Sequence, residues 1–97
     1  MNMQSLMAQA QKVQRELEKA NNEIENSTFV GENDAVKVEV TGKNLVSKIE
    51  IKDDQLLSDK ELLQDMIVVA TNKALEQISK MKSEKLGKYT GGMGGLF

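Results

Sequence analysis

The chain contains no cysteine, histidine, proline or tryptophan. Without cysteine there is no disulfide framework and no thiol nucleophile. Without cysteine and histidine the usual zinc ligands are missing, and so is every catalytic triad that needs either residue. Aromatic residues are limited to Phe29, Tyr89 and Phe97, so a core must be built from Val, Ile, Leu, Met and Ala. The longest uninterrupted apolar run, Met66 to Ala70, has five residues, against the ~20 of a membrane span. Met1-Asn2-Met3-Gln4 lacks a cationic region followed by an apolar stretch, so it does not read as a secretory signal. These absences lead us to expect a cytoplasmic protein with no membrane partner.

What is present amounts to one domain. At 97 residues a domain buries a limited fraction of its surface, and self-association is a natural way to bury more. Net charge is −2, which by itself argues against a polyanionic partner. The charge is uneven, however. Residues 73–97 carry +3 and the rest of the chain is acidic, so local fields can differ from the total.

From about Asn2 to Asn26, apolar residues fall at Met3, Leu6, Ala10, Val13, Leu17, Ala20 and Ile24, spaced alternately three and four apart. This heptad pattern, filled in by Gln, Glu, Lys and Asn, predicts one long amphipathic helix whose ridge must meet another helix, its own or a partner's. Next, Val36, Val38 and Val40 alternate with Lys37, Glu39 and Thr41. Leu45, Ser47, Ile49 and Ile51 alternate with Val46, Lys48, Glu50 and Lys52. Such alternation predicts strands with one wet face. Thr41-Gly42-Lys43-Asn44 is expected to turn between them, with Gly and Asn tolerating positive φ. Ser27 to Gly31 is a shorter strand candidate, followed by a turn at Glu32-Asn33-Asp34. Together these segments predict a three-stranded antiparallel meander.

Ser58-Asp59-Lys60-Glu61 reads as a capping box opening a second helix. That helix should run to about Leu86, with Gly87 as a left-handed stop. One seam holds Leu63, Ile67, Ala70, Ala74, Ile78 and Met81, while Leu62, Met66, Val68 and Val69 add apolar surface on other faces. A helix apolar on several sides implies both a sheet and a partner surface. Beyond Met81 the last turns are expected to project into solvent. Tyr89 to Phe97 holds four of the seven glycines and is expected to be a flexible tail behind a domain spanning 1–88.

Chemistry-bearing constellations are few. Asp53, Asp54, Asp59 and Asp65 could suggest magnesium, but a strand end and a helix start explain them, and no base, nucleophile or cofactor signature joins them. We therefore expect no enzyme, no metal, no cofactor and no small-molecule substrate. Lys12, Arg15 and Lys19 form one stripe on the outer face of the first helix. They read either as a row of phosphate contacts or as a solvated face with weak ion pairs, Lys12 to Glu16 and Lys19 to Glu23. A second cluster, Lys80, Lys82, Lys85 and Lys88, sits on the projecting end of the second helix. No aromatics interleave with either group, which disfavours base stacking. Lysine outnumbers arginine twelve to one, which disfavours bidentate base readout. Any DNA binding should therefore go mainly to phosphates.

Four stretches resemble the YbaB/EbfC family of nucleoid-associated proteins. They are Met7-Ala8-Gln9-Ala10-Gln11-Lys12-Val13-Gln14, Val36-Lys37-Val38-Glu39-Val40-Thr41-Gly42, Asp65 to Leu75 (DMIVVATNKAL), and Thr90-Gly91-Gly92-Met93-Gly94-Gly95-Leu96-Phe97. The chain departs from members that carry proline after the third strand, reading Lys52-Asp53-Asp54, and near the C-terminus, where it has Gly95. The resemblance implies an α+β fold of α–β–β–β–α order and a tweezer-like homodimer. It further implies binding to double-stranded DNA and a role in nucleoid organisation or gene regulation. By the same resemblance, DNA contacts fall on Lys12, Arg15 and Lys19 and on Lys80, Lys82, Lys85 and Lys88. The rival expectation is a protein-binding adaptor or chaperone-like dimer that uses the heptad face of the first helix.

Overall fold

The computed structural model describes residues 2–87. Helix α1 spans Met3–Glu25, strands β1, β2 and β3 span Thr28–Glu32, Val36–Thr41 and Val46–Ile51, and helix α2 spans Lys60–Leu86. A 3₁₀ turn at Asp54–Ser58 links β3 to α2. The strands form one antiparallel sheet in the order β1-β2-β3. This is the expected α+β meander between two long helices. The expected tail, 89–97, lies outside the described residues.

Local chemistry sets the boundaries. Asn2 caps α1, its side chain accepting from the Ser5 amide at 2.8 Å. At the other end Ser27 Oγ donates to the Glu23 carbonyl at 2.6 Å. The expected capping box at Ser58 does not form. Ser58 Oγ instead donates to the Gln55 carbonyl and closes the 3₁₀ turn. The cap of α2 is Asp59, whose carboxylate accepts from the Leu62 amide at 3.1 Å. Gly87 is right-handed, with φ −60° and ψ −31°, so the expected left-handed stop is also corrected.

The turns hold a further correction. Only Asn44 takes positive φ in the β2–β3 turn, at 65°. Gly42 is needed for space instead, because a Cβ there would fall on the Ile24 carbonyl at the end of α1. Gly31 plays the same part in β1, where a Cβ would fall on the Ala70 carbonyl of α2. Between β1 and β2, Asn33 Oδ1 accepts from the amides of Ala35 and Val36, and its Nδ2 donates to the Met66 carbonyl at 3.0 Å. That one side chain shapes the turn and ties it to α2.

The core lies between α2 and the inner face of β1 and β2. Val36, Val38 and Val40 are fully buried there with Phe29, Ala70, Ala74, Ile78 and Ile24. The small residues Gly31, Ala70 and Ala74 let helix and strand backbones approach closely. β3 escapes this cover. A register shift between Glu39 and Val40 sets Val46, not Ser47, opposite Val40, so the strict alternation read from the sequence breaks at that point. Ile49 stays on the inner face, opposite Val38, yet is 47% exposed.

The molecule measures 69 × 24 × 15 Å, with a radius of gyration of 19.0 Å, against about 13 Å for a compact domain of this size. The long dimension exceeds either helix, α1 at about 34 Å and α2 at about 40 Å. The helices therefore overlap only in part. Leu17, Ala20 and Ile24 of α1 are covered to increasing degree, whereas every residue from Asn2 to Glu16 is exposed. That N-terminal half is an arm.

Candidate nucleic-acid interface

The arm has two unlike sides. At 100° per residue, Lys12, Arg15 and Lys19 fall opposite the heptad seam, and all three are exposed. Among the described residues the one ion pair joins Lys52 to Glu32, at 2.9 Å. The expected pairs Lys12–Glu16 and Lys19–Glu23 are not closed, so the α1 cations face solvent. Arg15 and Lys19 border a shallow open depression with Glu18, Asn22, Glu23, Asn26 and Ser27. Asn22 and Asn26 extend the cationic stripe toward the sheet with groups that can donate to an acceptor. The sequence reading overlooked both asparagines. Their signal was positional, at three and seven residues beyond Lys19, but uncharged.

The α2 lysines do not form a comparable row. Lys73 Nζ donates to the Glu32 carbonyl at 3.2 Å, which places that flank of α2 along β1. Lys80, two helical turns on, lies on the same flank and is exposed. Lys82, on a different flank, is half-buried. Lys85 is exposed in the last turn, where a cation offsets the negative end of the helix dipole. The three therefore fan around the end of α2. Lys88 lies outside the described residues.

The Lys52 ammonium hydrogen-bonds Glu32 and holds its carboxyl below the usual carboxylate range, with a smaller contribution from Lys37. The described residues hold no cluster of three acidic side chains able to bind a metal. No described helix is long and apolar enough to cross a membrane.

Fold and face together define an elongated α–β–β–β–α protein that carries a cationic stripe on a projecting helix. A model of the YbaB/EbfC DNA-binding family matches residues 1–93, and the chain belongs to that family. It is 46% identical over 96 residues to a nucleoid-associated protein of Lactococcus lactis subsp. cremoris strain MG1363, covering 96% of this chain and 97% of that one. It is 40% identical over 98 residues to a nucleoid-associated protein of Enterococcus faecalis strain V583, covering 98% and 94%. Among solved structures, the uncharacterized protein HP0035 from Helicobacter pylori matches with a TM-score of 0.67 at 21% identity, covering 87% of this chain and 91% of that one. At that identity the likeness concerns the fold alone.

Proposed function

We propose that the protein is a homodimeric, nucleoid-associated DNA-binding protein of the cytoplasm that holds double-stranded DNA mainly through its phosphates. The observation that carries this reading is the arm, which presents Lys12, Arg15 and Lys19 to solvent opposite its apolar seam. Lys80, Lys82, Lys85 and Lys88 add cations at the end of α2. Family membership and the names of the relatives support DNA as the partner. On this reading its role is in nucleoid organisation or gene regulation, and the relatives' name, nucleoid-associated protein, supports it.

A second copy is part of the proposal. Leu45, Val46, Ile49, Leu62, Val68 and Val69 are all exposed on one short chain, more apolar surface than a small monomer ordinarily shows. Two copies double the lysines and supply two arms. A duplex on the order of 20 Å across is shorter than either helix, by the rise of 1.5 Å per residue.

The test is fluorescence anisotropy with a random-sequence duplex, titrated between about 50 and 200 mM salt. A slope of several units in log K against log salt is expected, at about −0.9 for each phosphate contact. Absence of binding at the lowest salt overturns the proposal. One observation favours the adaptor reading instead. Met3, Leu6 and Val13 leave the seam of the arm bare, Met3 at 72% exposed. Leu6→Asp with Val13→Asp should then abolish capture of a partner helix and leave DNA binding unchanged.

A further inference from the structure

The two edges of the sheet differ. Two of the three outward carbonyls of β1 are occupied by α2, where Gln77 Nε2 donates to Val30 O at 2.8 Å and Lys73 Nζ to Glu32 O at 3.2 Å. At the other edge, the Lys52 amide donates to the Ala35 carbonyl at 2.7 Å. Main-chain groups alternate in direction along a strand. Lys48 and Glu50 therefore turn theirs toward β2, and Ile49 and Ile51 turn theirs to the open side. Nothing described covers that side.

Resting on the homodimer proposed above, we infer that β3 pairs antiparallel with β3 of a second copy, about a two-fold axis at Ile49. Four features converge on this register. First, Ile49 faces its own copy as a hydrogen-bonded pair, an arrangement its outward N–H and C=O can satisfy. Second, Lys48 then lies opposite Glu50 of the second copy, and Glu50 opposite Lys48, so the charges complement each other twice. Third, shifting the axis by one residue to Lys48 or to Glu50 keeps outward groups facing outward groups but sets like charges against each other, Lys48 on Lys48 or Glu50 on Glu50. Fourth, Val46 and Ile49, 50% and 47% exposed, continue the buried row of Val40 and Val38. Pairing brings two such half-covered rows together into one apolar surface between the two α2 helices.

The chain has no native cysteine, so introduced thiols report position cleanly. In this register residues 48 and 50 of different copies form a non-hydrogen-bonded pair, with Cα atoms about 4.5 Å apart. That lies inside the range a disulfide spans. The same residue in both copies would be about 8 Å apart, beyond that range. K48C and E50C are prepared separately, refolded together and oxidised. A cross-linked two-chain species is expected from the mixture, at least tenfold over either variant alone. A wild-type chain that light scattering shows as a dimer, but whose variants cross-link no better mixed than alone, overturns the register and leaves the homodimer standing. A monomeric wild type overturns the pairing and the dimer together, and the anisotropy titration then judges DNA binding separately. Amide exchange on the wild type needs no variant. The Ile49 and Ile51 amides should exchange as slowly as those of β2, and exchange at free-edge rates overturns the pairing.

Discussion

Helix α1 carries one heptad seam and gives its two halves opposite fates. From Leu17 to Ile24 the seam is progressively covered, and Ile24 ends in the core beside Ile78. From Met3 to Val13 the same seam is bare. Period alone therefore fixes which side of a helix is apolar, but not whether anything lies against it. The covered half anchors the helix, and the bare half is free to carry its cationic side to a ligand.

The comparison can be broken most strongly from the anchored side. Gly31→Val places a side chain against the Ala70 and Ala74 backbone of α2. Neither element can yield easily, so a loss of about 3 kcal/mol or more is expected, read as a lower urea midpoint or no folded protein. Next comes a matched pair along the seam. Ile24→Ala should cost about 2–5 kcal/mol, as for other buried truncations, whereas Leu6→Ala should stay within about 0.5 kcal/mol. Equal losses in urea melts would mean that the arm is covered in solution.

The bare half is sharpened by charge. Lys12→Ala, Arg15→Ala and Lys19→Ala together should leave the melt unchanged and reduce the salt slope of DNA binding by about 3 units if one arm of the proposed dimer grips the duplex and by about 5 if both do, at about 0.9 per contact. An unchanged slope would move the grip to Lys80, Lys82, Lys85 and Lys88. Changing those four to Ala should abolish DNA binding and leave the fold and dimer intact, as read by anisotropy and light scattering. The smallest effect concerns Glu32, whose pKa is lowered in the fold by Lys52. Its ionised form adds stability at pH above the unfolded carboxylate pKa, and that contribution is lost as pH falls through the lower folded value. Glu32→Gln should therefore flatten this part of the acid limb of urea midpoint against pH, and only slightly, because the pair is exposed.

The elements themselves were legible because each has a strong period: seven in α1, two in β2, and the small-residue seam Ala70, Ala74 and Ile78 in α2. What stayed hidden depends on contacts across the chain. Gly42 looked like a positive-φ turn residue, and only the nearby Ile24 carbonyl reveals it as a clearance. Ser58 read as the cap, but the 3₁₀ turn, which no periodicity announces, consumed the serine and left Asp59 to cap α2. The extra residue that sets Val46 against Val40 is invisible to alternation, and so is the failure of α2 to reach β3. In the candidate interface, the α1 stripe was readable from spacing alone. The partial burial of Lys82 was not, because burial depends on contacts across the chain that spacing does not show, and Asn22 and Asn26 carry no charge to draw attention.

Gln77 and Lys73 do more than decorate β1. By donating to Val30 O and Glu32 O they take two acceptors that an added strand would need at that edge. If two copies join through β3 as proposed, each consumes the other's open edge, and β1, with two of its acceptors taken, is left as the poorer edge for adding a third chain. Removing the two side chains would reopen the far edge and turn a closed pair into a unit able to add further copies end on end. On the proposed pairing, two polar residues on a helix would act as a limit on assembly size, a property that belongs to the population of molecules rather than to the stability of one.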